Sequence, residues 1–79
     1  MKLKLLLFGI SKDIMGSSTL DVELNGSSVH ELRDWLYATY PKMKSLNSLM
    51  IAVNNEYAED DLELKSTDEI ALIPPVSGG

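Results

Sequence analysis

The sequence closes on Ile73-Pro74-Pro75-Val76-Ser77-Gly78-Gly79, and one group there can do covalent chemistry: the α-carboxylate of Gly79. Glycine costs backbone entropy wherever it is ordered, so a Gly-Gly pair gains a fold nothing. It does clear every side chain from around the last carboxylate. Extended, the final four residues reach about 13–14 Å beyond Pro75, enough to pass down a narrow channel in a partner. Activated as an acyl-adenylate, that carboxylate can be attacked. A sulfur nucleophile would leave a thiocarboxylate, and an amine would leave an isopeptide link. An inert, frayed end is the remaining reading.

Little else in the sequence competes for a chemical role. There is no cysteine, which excludes disulfides, thiolate metal sites and a cysteine nucleophile. His30 has no second histidine to share a metal with. The serines have no evident base, and the run Glu59 to Glu63 lacks the spaced ligands and the turn glycine of a calcium loop. No metal site is expected. The net charge is −5, against the clustered Lys and Arg that phosphate contacts need, so nucleic acid is not an expected partner. Met1 to Gly9 opens like a signal peptide, but lysines interrupt its short apolar stretch. No run is long enough to span a membrane. A cytoplasmic protein without membrane attachment is expected.

The elements that must carry the tail can be read from periodicity. At 79 residues the chain is one domain, small enough to bury only about 60% of its unfolded surface. Lys2 to Phe8 alternates as a strand, with Leu3, Leu5 and Leu7 on one face and Lys4, Leu6 and Phe8 on the other. Ser11 to Thr19 is polar and carries Gly16, which reads as a loop. Leu20 to Leu24 alternates again, as the second strand of a hairpin. Ser28 and Glu31 fit a capping box, and Val29, Leu32, Leu36 and Tyr40 form one apolar helix face. Pro41 helps to end that helix. Met50 to Val53 predicts a strand, Asn54-Asn55 a turn, and Tyr57-Ala58 a short returning strand. Glu59 to Glu63 predicts a solvated loop, and Glu69 to Ile73 a last strand that Pro74-Pro75 ends. The layout is α+β: a mixed sheet with one main helix packed on one face. Residues 1–75 form the domain, and residues 76–79 a flexible tail.

Parity gives a further result. If Ile51, Val53, Ile70 and Leu72 face the helix, the opposite face carries Leu6, Phe8, Ala52, Ala71 and Ile73, with Tyr57 at its rim. Contiguous apolar area on a face that should meet water marks a site of interaction.

Over its whole length the sequence resembles the molybdopterin synthase small subunits, sulfur carriers with the ubiquitin-like β-grasp fold. Asp68 to Gly79 carries the resemblance most specifically: an acidic turn, an apolar strand, Pro-Pro-Val, a small residue and Gly-Gly. Met50 to Asn54 and Leu3 to Phe8 extend it. The resemblance implies that a ubiquitin-activating-like adenylyltransferase adenylates Gly79 with ATP and magnesium, and that sulfur then gives a thiocarboxylate. The carrier would donate that sulfur to cyclic pyranopterin monophosphate inside the large synthase subunit, two carriers joining two large subunits. Val76, Ser77 and Gly78 would line the channel, and Phe8, Tyr57 and Ile73 would bind the partner. The carrier would be a sulfur-donor subunit, with no permanently bound cofactor and no complete active site of its own. The alternatives are a sulfur carrier for thiamine or tRNA thiolation and a protein modifier joined to lysines through Gly79.

Overall fold

The computed structural model describes residues 1–45 and 49–73. Its strands are β1 (Lys2–Leu7), β2 (Thr19–Glu23), β3 (Met50–Val53), β4 (Glu56–Tyr57) and β5 (Ile70–Ile73). Helix α1 (Gly9–Met15) joins β1 to β2, helix α2 (Val29–Thr39) follows β2, and a 3-10 turn covers Pro41–Ser45. The sheet runs in the order β2-β1-β5-β3-β4. Strands β1 and β5 are parallel, and every other neighbouring pair is antiparallel. The mixed sheet read from the sequence is therefore present, with the first and last strands side by side at its centre.

Alternation sends one side of each strand into the core. Leu3, Leu5, Leu7, Val22, Ile51, Ile70 and Leu72 are buried, together with Val29, Leu32 and Leu36 from α2. These are the expected strand faces and helix stripe. At roughly 25 cal/mol per Å² of apolar surface removed from water, this cluster supplies the main driving force for folding.

The predicted loop over Ser11 to Thr19 is corrected by the structure: its first half belongs to α1. Ile14 and Met15 pack against the core, and Ser11 is wholly buried with its hydroxyl donating to the Phe8 carbonyl at 2.5 Å. A two-turn helix is marginal in isolation and takes its stability from such packing, so too few apolar positions recur for a helical period to be visible. It closes on Gly16, whose N–H donates to the Lys12 carbonyl at 2.9 Å. Strands β1 and β2 are antiparallel neighbours as expected, but a helix, not a loop alone, connects them. Met43, Leu49 and Leu64 also join the core from segments with no regular period.

The capping box at the start of α2 is complete. The Ser28 hydroxyl accepts from the Glu31 N–H at 3.2 Å, and Glu31 Oε1 accepts from the N–H groups of Ser27 and Ser28 at 3.1 and 3.2 Å. The next two helix N–H groups are satisfied from the acidic loop: Val29 donates to the Leu62 carbonyl at 3.0 Å and His30 to the Asp60 carbonyl at 2.9 Å. All four donors that a helix start leaves without an intrahelical partner are thus accounted for. Gly26 permits the arrangement, because a Cβ there would lie 2.0 Å from Glu31 Oε2. The backbone donors of Ser27 and Ser28, followed by the Ser28 hydroxyl, hold the Glu31 carboxyl below its ordinary range.

Ser28→Ala should lower stability by about 1 kcal/mol at neutral pH, as measured by urea unfolding. Since the Glu31 carboxyl is depressed in the fold, its contribution is present above the unfolded-state range. It is lost as pH falls through that range and below. The gap between wild type and Ser28→Ala should therefore narrow in acid.

Candidate functional site

The face of the sheet away from α2 is built by the same register. Leu6 lies opposite Ala71, Ala71 opposite Ala52, and Ala52 opposite Tyr57, so one row of side chains crosses β1, β5, β3 and β4. A second row begins with Met50 opposite Ile73. Along the first row two alanines stand between larger neighbours. The result is a groove of about 340 Å³, with Ala52 and Ala71 between the walls made by Leu6, Phe8, Ile73 and Tyr57. Phe8 is 51% exposed and Tyr57 65%. The six residues that parity assigned to this face all line the one groove.

Local structure fixes the groove at both ends. Phe8 is the cap residue of α1, extended at φ −129°, and the chain turns directly after it at Gly9, φ +58°. That left-handed conformation favours glycine. It lets β1 pass into a helix within one residue and leaves the Phe8 ring over the sheet. At the far end, Asn54 and Asn55 both take positive φ, +53° and +71°, and form the turn between β3 and β4. The Asn54 N–H donates to the Glu69 carbonyl at 2.7 Å, and its side-chain oxygen accepts from the Glu69 N–H at 2.9 Å. Its Nδ2 donates to Asp68 Oδ1 at 3.0 Å. The Lys65 N–H, ahead of the Asn54 amide, holds the Asp68 carboxyl below its ordinary range. This clamp sets Glu69 and Asn55 on the polar rim of the groove.

The structure thus brings Phe8, Tyr57 and Ile73 together, as the sequence predicted. Gly79, Val76, Ser77 and Gly78 lie outside the described residues. The sequence reading missed Glu69 and Asn55. Glu69 was within reach, since it shares the parity of Ala71 and Ile73. His30 sits on an exposed surface, its Nε2 3.2 Å from Asp34 and its Nδ1 3.9 Å from Asp60. Among the described residues, no helix is long and apolar enough to cross a membrane.

Leu5 within β1 and Phe8 directly after it should respond differently to truncation. Leu5→Ala should cost about 2–5 kcal/mol in urea unfolding, because it leaves a cavity in a sealed core. Phe8→Ala should cost about 1 kcal/mol or less, since its ring is half in water already. Equal losses would put Phe8 in the core.

Comparison with known proteins agrees with this geometry. Residues 5–79 match the ThiS family. A relative from Dictyostelium discoideum, named molybdopterin synthase sulfur carrier subunit, is 41% identical over 81 residues, covering 96% of this chain and 94% of its own. SAMP1 from Haloferax volcanii, small archaeal modifier protein 1, is 28% identical with a TM-score of 0.81 over 100% of both chains. A chain in the complex of subunits 1 and 2 of molybdopterin-converting factor from Helicobacter pylori is also 28% identical, with a TM-score of 0.69 over 100% of both. The architecture is the ubiquitin-like β-grasp that the sequence led us to expect.

Proposed function

The chain belongs to the ThiS family, and on that footing we propose that it is the sulfur carrier of a molybdopterin synthase. The observation that carries the proposal is identity of 41% across nearly the whole chain to a relative bearing that name. The apolar groove supports it physically, because a carrier must dock on a partner that performs the chemistry.

The reacting group would be the Gly79 carboxylate. An adenylyltransferase would join it to the α-phosphate of ATP, held with magnesium, and release pyrophosphate. Hydrosulfide would then displace AMP and leave a thiocarboxylate on Gly79; a persulfide would give an acyl disulfide, whose S–S bond a second thiol cleaves to the same thiocarboxylate and a disulfide on the donor. Within the large subunit that sulfur would pass to cyclic pyranopterin monophosphate. Val76, Ser77 and Gly78 would occupy the approach channel, presenting only small side chains to its walls. Phe8, Tyr57 and Ile73 would anchor the domain, and Ile73 is the last strand residue before the Pro-Pro-Val-Ser-Gly-Gly segment. The heterotetramer of two carriers and two large subunits belongs to the same proposal.

The likeness to SAMP1 favours a second reading, attachment to lysines through Gly79. The two differ in their products. A modifier gives covalent ladders on a blot of cell lysate, whereas a sulfur carrier gives none.

After incubation with an activating enzyme, ATP and a sulfur source, the intact mass should rise by the difference between sulfur and oxygen, localised to Gly79. Deleting Gly79 should abolish that gain and leave the thermal unfolding midpoint unchanged. A truncated chain that still transfers sulfur would falsify the assignment. In a binding assay with the large subunit, Phe8→Ala and Ile73→Asp should each weaken affinity by about tenfold or more.

A further inference from the structure

Tyr57 lines two depressions. One is the apolar groove, and the other, of about 210 Å³, lies along β4 and the loop that follows. The second has Val53 and Ala58 in its lining, with Leu62 41% exposed beside them. The remaining residues of its lining are Glu56, Glu59 and Asp61. Among the described residues, none of these three carboxylates has a hydrogen-bond or ion-pair partner. The rim of the apolar groove adds Glu69. The chain has seven lysines and arginines, and none lines either depression. Three other carboxylates have cations beside them: Asp21 and Glu23 lie opposite Lys4 and Lys2 across the β1–β2 ladder, and Asp60 pairs with Arg33.

An exposed aromatic ridge with apolar space on one side and uncompensated carboxylates on the other specifies its complement. Resting on the reading of this face as the docking surface for the large subunit, we infer that the partner straddles Tyr57. It places an apolar side chain in the groove and a lysine or arginine in the second depression. The aliphatic stem of that residue would lie along Val53, Ala58 and Leu62, and its charged head would meet Glu56, Glu59 and Asp61. The cation would also face the Tyr57 ring. Like-signed charge gathered on the docking side steers encounter with a basic surface, so its effect falls mainly on the association rate and weakens with salt.

The test compares two triple variants of equal charge by stopped-flow or surface-binding kinetics with the purified cognate large subunit. One is Glu56→Gln, Glu59→Gln and Asp61→Asn. The other is Asp13→Asn, Asp21→Asn and Glu23→Gln, none of which lines either depression. At low salt the first should associate about tenfold more slowly than wild type, with a flattened salt dependence. The second should stay within about twofold of wild type. Unchanged thermal unfolding of the first would exclude misfolding as the cause. Wild-type kinetics for the first variant, or equal losses for both, would overturn the inference and leave the docking reading standing. A wild-type chain that does not bind the large subunit would overturn the docking reading, and this inference with it.

Discussion

The register between the first and last strands governs the molecule. Leu5 lies opposite Ile70, Leu6 opposite Ala71 and Leu7 opposite Leu72. Side chains alternate with a period of two, so a slip of one residue would exchange the two faces of the strand that slipped. Leu5, Leu7, Ile70 and Leu72 are sealed from water with α2 over them, and their loss to solvent is the penalty that holds the register. Once it is held, Leu6 and Ala71 have no choice of side. The apolar outer face follows from the same ladder that makes the core.

The acidic loop after β4 serves two ends with different atoms. The carbonyls of Asp60 and Leu62 accept from the first N–H groups of α2, and the Ser27 carbonyl accepts from Leu64 at 2.5 Å. Buried Leu64 anchors the far end of this segment in the core. Arg33 ties it again, donating to the Leu49 carbonyl at 2.7 Å and reaching Asp60 Oδ1 at 3.4 Å. With its backbone committed to the helix, the loop can keep the side chains of Glu59 and Asp61 in water.

What could be read from the sequence was whatever repeats. The alternation of β1 and β2, the short apolar runs of β3 and β5, the stripe of α2 and the Ser28–Glu31 box are all patterns among near neighbours in sequence, and all appear in the structure. The groove was legible for the same reason, as the complement of the core parity. Missed features carry no such pattern. Helix α1 takes its stability from packing of Ile14 and Met15 against the core. Met43, Leu49 and Leu64 are each buried singly, and a lone apolar residue has no period to betray it. Element ends moved by a residue where pairing, not composition, decides them: β4 covers Glu56–Tyr57, one step before the expected Tyr57-Ala58.

The two alanines on the outer face make a groove where the sheet would otherwise carry a plain apolar surface. Ala52 and Ala71 face each other across β3 and β5, strands interior to the sheet. Alanine is a poor strand former, and β-branched or aromatic residues at a directly paired, interior position would add cross-strand packing. Folding alone therefore favours larger side chains at both places. Their effect would be to fill the groove and turn the sheet face convex between Phe8 and Tyr57. Ala52 is only 6% exposed even so, because its larger neighbours stand above it. On the proposed docking, the sheet forgoes packing where a partner's side chain would need room and keeps large residues where that partner would need walls. That pattern is the one expected of a surface shaped for another molecule, not for the stability of its own strands.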